Sequence, residues 1–247
     1  MAEELRHAFA AGELVAFFQP QVDLASGRIV ALEALCRWMH PQRGLLLPDR
    51  FIAVAERFGL MAELGRVMLE ESARRAAGWY RRGVAIGLAL NASPSELHPD
   101  FAATVLARVE SLGLPAGAVT VEITESPALQ ESCDEIVTLQ ALVDGGVGVS
   151  IDDFGAGHTT LEALERLPFT EVKIDRSLVH DDRPEAARLV AACVQVAHRR
   201  SALVVAEGVE TDVHLARARE WGCDRAQGFL FSGAVPPDEV DALLARA

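Results

Sequence analysis

Apolar and polar positions along this chain follow a repeating plan of strands and helices. Short runs of β-branched and apolar residues recur at 15–18, 29–32, 84–90, 119–123, 147–151, 172–174 and 203–205. Runs of this length and composition predict buried strands. Between most of them, apolar residues recur at helical spacing, as at 61–80, 101–112, 135–143, 186–198 and 213–221. A weaker strand at 225–228 brings the count to roughly eight, the number that closes a parallel barrel of the TIM type. An open doubly wound sheet is the alternative.

The polar residues favour the barrel. Nearly every strand run ends in a carboxylate, amide or lysine: Gln19, Glu33, Asn91, Glu122 with Glu125, Asp152 with Asp153, Lys173, Glu207 and Gln227. A barrel brings all of these to its C-terminal rim, where such folds carry their active sites. An open sheet would spread them along one edge.

A rim holding Glu33, Glu122, Asp152, Asp153 and Glu207 needs cations, and Lys173 and Arg37 are too few. Oxygen-only ligands, these carboxylates plus the Asn91 amide, suit magnesium or manganese. In the adjacent pair Asp152 and Asp153, one carboxylate can bridge two ions about 3.5 to 4 Å apart while its neighbour holds the second. Two ions so placed would act on a phosphodiester through a bridging water, which Lys173 would orient or deprotonate. Arg37 can offer its planar fork to a phosphate oxygen. Each acid alone has a plainer reading: Glu122 and Glu125 as first-turn acids, Asp152 and Asp153 or Asn91 as helix caps. The coincidence of many strand ends outweighs those readings.

Composition narrows the field further. The 247 residues, half of them hydrophobic, suffice for one large core, and no Pro/Gly/Ser-rich linker interrupts them. The formal net charge of −13 disfavours a long nucleic acid as partner. No apolar stretch reaches the roughly 18 to 20 residues of a membrane-spanning helix, and no signal peptide is visible, so a cytoplasmic domain with no direct membrane insertion is expected. Cysteines 36, 133, 193 and 223 are scattered, with neither zinc-ligand nor disulfide spacing. The seven histidines likewise lack ligand spacing. Asp153-Phe154-Gly155 resembles the metal-binding triplet of kinases, but the Gly-rich and H-R-D loops are missing, and no G-x-S-x-G element supports a serine hydrolase.

The chain resembles the EAL family. Glu33-Ala34-Leu35 is the signature tripeptide, followed by His40-Pro41, Gly44-Leu45, Pro48 and Phe51-Ile52. The resemblance extends through Gln19-Pro20, Glu122-Ile123-Thr124-Glu125-Ser126, Asp152-Asp153-Phe154-Gly155, Val172-Lys173-Ile174-Asp175-Arg176-Ser177, Ala206-Glu207-Gly208-Val209-Glu210-Thr211 and Gln227-Gly228-Phe229-Leu230-Phe231, in family order. It implies that residues 1–247 form a single EAL phosphodiesterase domain, a modified TIM-type (β/α)8 barrel whose first strand is antiparallel. The implied activity is hydrolysis of cyclic di-GMP to linear pGpG with two Mg2+ or Mn2+ ions, Ca2+ being inhibitory. By similarity, Glu33, Asn91, Glu122 and Asp152 hold one ion, and Asp152, Asp153 and Glu207 surround the other. Lys173 and Gln227 contact the catalytic water, completing a catalytic set with Glu33 and Glu207. Gln19, Leu35, Arg37, Asp153 and Glu210 are the implied substrate contacts, and Glu125 the anchor of the loop after Asp153. The family also implies a homodimer and a regulatory domain or partner outside this chain. Gly155-Ala156-Gly157-His158-Thr159-Thr160 departs from the usual Gly-Thr-Gly-Tyr-Ser-Ser of that loop, and Ala92 replaces a usual leucine. Because some EAL domains have lost catalysis, a slow or inactive cyclic di-GMP receptor acting through a protein partner is the alternative function.

Overall fold

The computed structural model describes residues 1–124, 133–157 and 160–245. Its strands are β1 (Leu14–Asp23), β2 (Ile29–His40), β3 (Gly44–Leu46), β4 (Gly87–Ala92), β5 (Val119–Thr124), β6 (Gly148–Phe154), β7 (Glu171–Ile174), β8 (Leu203–Ala206) and β9 (Arg225–Gln227). Its helices are α1 (Ala2–Ala11), α2 (Ile52–Arg57), α3 (Met61–Arg81), α4 (Pro99–Ser111), α5 (Cys133–Asp144), α6 (Leu161–Leu164), α7 (Arg176–Val179), α8 (Pro184–Arg199), α9 (Asp212–Trp221) and α10 (Pro237–Leu244).

The strands run in the order β1-β9-β8-β7-β6-β5-β4-β2-β3, and a further β1–β2 pairing closes eight of them into a barrel with β3 as an outside annex. β1 is antiparallel to both of its neighbours, while β2 and β4 through β9 pair in parallel along the barrel wall. The closed barrel with an antiparallel first strand is the architecture the sequence implied. One departure is the β1–β2 connection, which is a hairpin rather than a helical crossover. Residues 24–28 are too few for a crossover, which takes a dozen or more, and Gly27, with φ 71°, makes the turn. The strand expected at 84–90 instead occupies Gly87–Ala92, because Gly83 with φ 81° and the chain after α3 use the preceding residues to reach the sheet.

Period-2 alternation divides each strand between two environments. Leu32, Leu88, Val121, Ile151, Val172 and Val204 belong to the apolar layer packed beneath the helices. α3 contributes Leu64, Met68, Ala76 and Trp79 to that layer, and the Trp79 ring meets Phe18 edge-on at 5.0 Å. The opposite face lines the bore, and below the rim it is mostly small or polar: Ala31, Gly87, Ala89, Thr120 and Gly148, with Gln21, Glu171 and Arg225, beside Leu203. TIM barrels ordinarily fill this space with branched aliphatic layers. Here an open recess of about 730 Å3 lies at the lower end of the barrel. Among the described residues, no helix is long and apolar enough to cross a membrane.

Candidate active site

Lys173 is the hub of the rim. Projecting from the short strand β7 and only 1% exposed, its ammonium lies 2.7 Å from Glu207, 3.0 Å from Glu122, 3.2 Å from Asp152 and 3.6 Å from Glu33. These carboxylates come from the residue after β8 and from β5, β6 and β2, which closure of the sheet brings to one mouth. Amides supply the remaining donors. Asn91 Nδ2 donates to Glu33 Oε1 at 2.7 Å, and Gln227 Nε2 donates to Glu33 Oε2 at 2.5 Å and to Gln19 Oε1 at 3.1 Å.

Asp153 joins the cluster through a break in β6. In a regular strand it would point away from Asp152. The β6–β7 register shifts between Ile151 and Phe154, and Asp153 has φ 58°, a left-handed conformation that aspartate tolerates better than bulkier residues. Both carboxylates therefore reach the same mouth. Ligand oxygens of Asp152, Asp153 and Glu207 all lie within 4.8 Å of one another.

Charge balance is the dominant feature of the site. Burial would push the Glu33 carboxyl up, but Lys173 and the amides of Asn91 and Gln227 overcome it and hold the group below its usual range. Glu122 goes the other way: burial and repulsion from Glu33 and Asp152 raise it well above that range despite Lys173. Burial likewise pushes Glu207 up to about 8, Lys173 opposing and Asp152 and Glu33 adding to the shift. Burial disfavours the Lys173 ammonium, yet its carboxylate neighbours win and raise it well above the ordinary lysine value. Lys173 is thus a fixed cation here, which favours orienting and stabilising over proton abstraction.

Five carboxylates gathered around one buried ammonium form a donor set short of positive charge. With the Asn91 oxygen it is an all-oxygen set of the kind hard divalent ions bind. Asp152 and Asp153 do not cap the helix that follows them, since Thr160 caps α6, and Glu122 lies within β5 rather than in a helix turn. Asn91 is engaged with Glu33, and Ser93 caps the turn that follows.

A cavity of about 360 Å3 opens beside the carboxylates, lined by Gln19, Leu35, Asp153, Glu207, Glu210 and Gln227 among others. Arg176, Asp175 and Phe229 also line it, though none was singled out from the sequence. Arg37, the expected phosphate contact, lies two residues beyond Leu35 of the cavity wall. Its guanidinium donates to the Cys36 carbonyl at 2.8 Å and sits 5.7 Å from the centre of the Phe17 ring, and Arg176 lines the cavity wall. Glycines permit the tight approach of the surrounding loops. Gly208 has φ 61°, and a Cβ there would fall 2.4 Å from that of Arg176, while a Cβ on Gly228 would fall 2.2 Å from the Val209 carbonyl oxygen. Glu125, and His158 and Thr159 of the divergent loop, lie outside the described residues.

A family model described as the EAL domain matches residues 2–234. The chain belongs to the EAL domain family. This EAL domain is 38% identical over 249 residues to the cyclic di-GMP phosphodiesterase NbdA of Pseudomonas aeruginosa, covering 99% of this chain and 32% of that protein. It is similar to the solved P. aeruginosa MucR phosphodiesterase in its c-di-GMP complex, with a TM-score of 0.88 and 35% identity over 96% of this chain and 98% of that one. The solved EAL domain of Mycobacterium smegmatis DcpA gives a TM-score of 0.78 and 35% identity, covering 95% of this chain and 97% of the other. The chain spans about a third of the length of the curated relatives it matches.

Proposed function

We propose that this EAL domain hydrolyses cyclic di-GMP to linear pGpG with Mg2+ or Mn2+, two ions per site. The observation that carries this reading is the gathering of Glu33, Glu122, Asp152, Asp153 and Glu207 with Asn91 around one buried lysine, beside an open cavity. In this reading Glu33, Asn91, Glu122 and Asp152 hold one ion, and Asp152, Asp153 and Glu207 hold the other. Bound there, the ions supply Lewis acidity and a nucleophilic hydroxide at neutral pH. The chain's own residues supply the rest. Lys173 stays protonated and steadies charge on the phosphate, while Gln227, shared between Gln19 and Glu33, orients the water. Gln19, Leu35, Asp153 and Glu210 on the cavity wall position the substrate, with Arg37 two residues beyond Leu35. Arg176 adds a cation that can face a phosphate.

The test is chromatography of cyclic di-GMP incubated with the protein and Mg2+ or Mn2+, alongside EDTA-treated and Glu33→Ala samples. Linear pGpG is expected with metal and from neither control, and cyclic di-GMP is expected to bind without turnover in Ca2+. Binding with no product under any metal would replace this reading with a receptor. Undiminished turnover by Glu33→Ala would remove the assigned site.

A further inference from the structure

The polar residues in the lower bore form a chain that ends on the site. Arg225, entering from the bottom recess, places Nη1 3.0 Å from Glu171 Oε2 and 3.5 Å from Gln21 Oε1. Gln21, 1% exposed, then donates Nε2 to Glu122 Oε1 at 3.3 Å. The orientation of that amide follows from its neighbours. Reversed, it would set its NH2 against a guanidinium and its carbonyl against a carboxylate, unfavourable at both ends. The cation below therefore fixes which way the amide points, and the amide meets Glu122 with a donor.

Glu122 needs such a partner. It is fully buried, faces Glu33 and Asp152, and has Lys173 on its other oxygen, Oε2, at 3.0 Å. Held at Oε1 by the Gln21 amide and at Oε2 by Lys173, the carboxyl group is restricted in rotation. Arg225 has a second effect through Glu171, which is 3% exposed and two residues before Lys173 on the same face of β7. Paired with Arg225, Glu171 is neutralised locally. Unpaired, it would be one more carboxylate drawing on the single lysine.

We propose that Gln21 and Arg225 are positioning residues for the metal centre, Arg225 orienting the Gln21 amide and the amide holding the Glu122 carboxyl group aimed for ligation. This rests on the reading of Glu122 as a metal ligand. Partners one step behind a ligand typically change metal affinity by about 10–100-fold when removed.

Mn2+ binding to the full chain, followed by electron paramagnetic resonance of the free ion, tests the proposal without reference to turnover. Gln21→Met is expected to weaken Mn2+ binding by about 10-fold or more. Arg225→Met combined with Glu171→Gln, which avoids stranding a buried carboxylate, is expected to weaken it in the same direction. The triple variant should bind no worse than Gln21→Met, because residues acting in series do not add. Arg225→Lys, which keeps a cation beside Glu171, should retain binding within about threefold of the unchanged protein. If Gln21→Met does not fold, Gln21→Asn, whose amide falls short of Glu122, carries the same expectation. Mn2+ affinity unaltered by the Gln21 change, or losses that multiply in the triple variant, would overturn the series arrangement. An unchanged protein that binds no Mn2+ would instead bring down the metal reading itself.

Discussion

Replacing Lys173 by methionine keeps most of the buried stem and deletes the one ammonium that four carboxylates share. Breaking a buried ion pair from one side costs about 3–5 kcal/mol. An independent limit comes from the escape open to the site, protonation of a carboxyl that has lost its cation. Glu33 is the group held down by Lys173, from an ordinary value of 4.5. At about pH 7.5, neutralising such a group costs roughly 4 kcal/mol, and at about pH 5.5 roughly 1.4 kcal/mol. The two routes agree near neutrality. The sign follows: in the variant the folded state holds a proton that the unfolded chain releases, so its stability relative to the unchanged protein falls as pH rises above about 4.5. Urea denaturation in EDTA should therefore show a deficit of roughly 3–5 kcal/mol near pH 7.5, shrinking by about 2.5 kcal/mol near pH 5.5. For a chain of this size the larger deficit corresponds to a fall in Tm of about 10 °C. Added Mn2+ should close part of it by replacing the missing positive charge. A deficit equal at the two pH values would refute this reasoning, since lost packing does not titrate.

Glu207→Gln should alter the pH dependence of the metal-free protein. Glu207, pushed up to about 8, keeps a proton in the fold that the unfolded chain loses near 4.5. Its contribution is thus fully present below about 4.5 and is lost as pH rises through about 8. The stability difference between the unchanged protein and Glu207→Gln in EDTA should decline across that window, and a flat difference would count against the assignment. Gly228→Ala sets a methyl 2.2 Å from the Val209 carbonyl oxygen and 2.4 Å from its nitrogen, so the loop carrying Glu207 and Glu210 must move. A loss of about 1–3 kcal/mol, with weaker cyclic di-GMP binding by calorimetry, is expected; unchanged affinity would separate that loop from the ligand.

The barrel was legible because closure depends on a count and a period, both written in residue types. The strand-end polar residues gave the rim for the same reason: on parallel strands, the C-terminal position fixes the side of the barrel. Two features lay beyond that reading. The sequence marks Asp153 as a rim residue, but the way it gets there, a register break in β6, is not legible, because nothing in the Asp152-Asp153 pair distinguishes a bulged strand from a regular one. Arg176 is reached through the turn after β7, where loop geometry rather than strand period decides direction, so no strand-end count could have pointed to it.

The lower bore, by contrast, was legible and overlooked. Gln21 follows Gln19 by two residues, Glu171 precedes Lys173 by two, and Arg225 precedes Gln227 by two, so the strand period that placed the rim residues places these directly below them. An apolar plug at that level would give Glu122 no donor from beneath, in a site already short of positive charge. A polar bore costs the packing that branched aliphatics would provide, about 0.8 kcal/mol for each buried methylene forgone. Such a cost is retained where buried polar groups specify an arrangement that apolar ones cannot. In this barrel the arrangement specified is the orientation of the Glu122 carboxyl group, which Gln21 meets at Oε1 and Lys173 at Oε2.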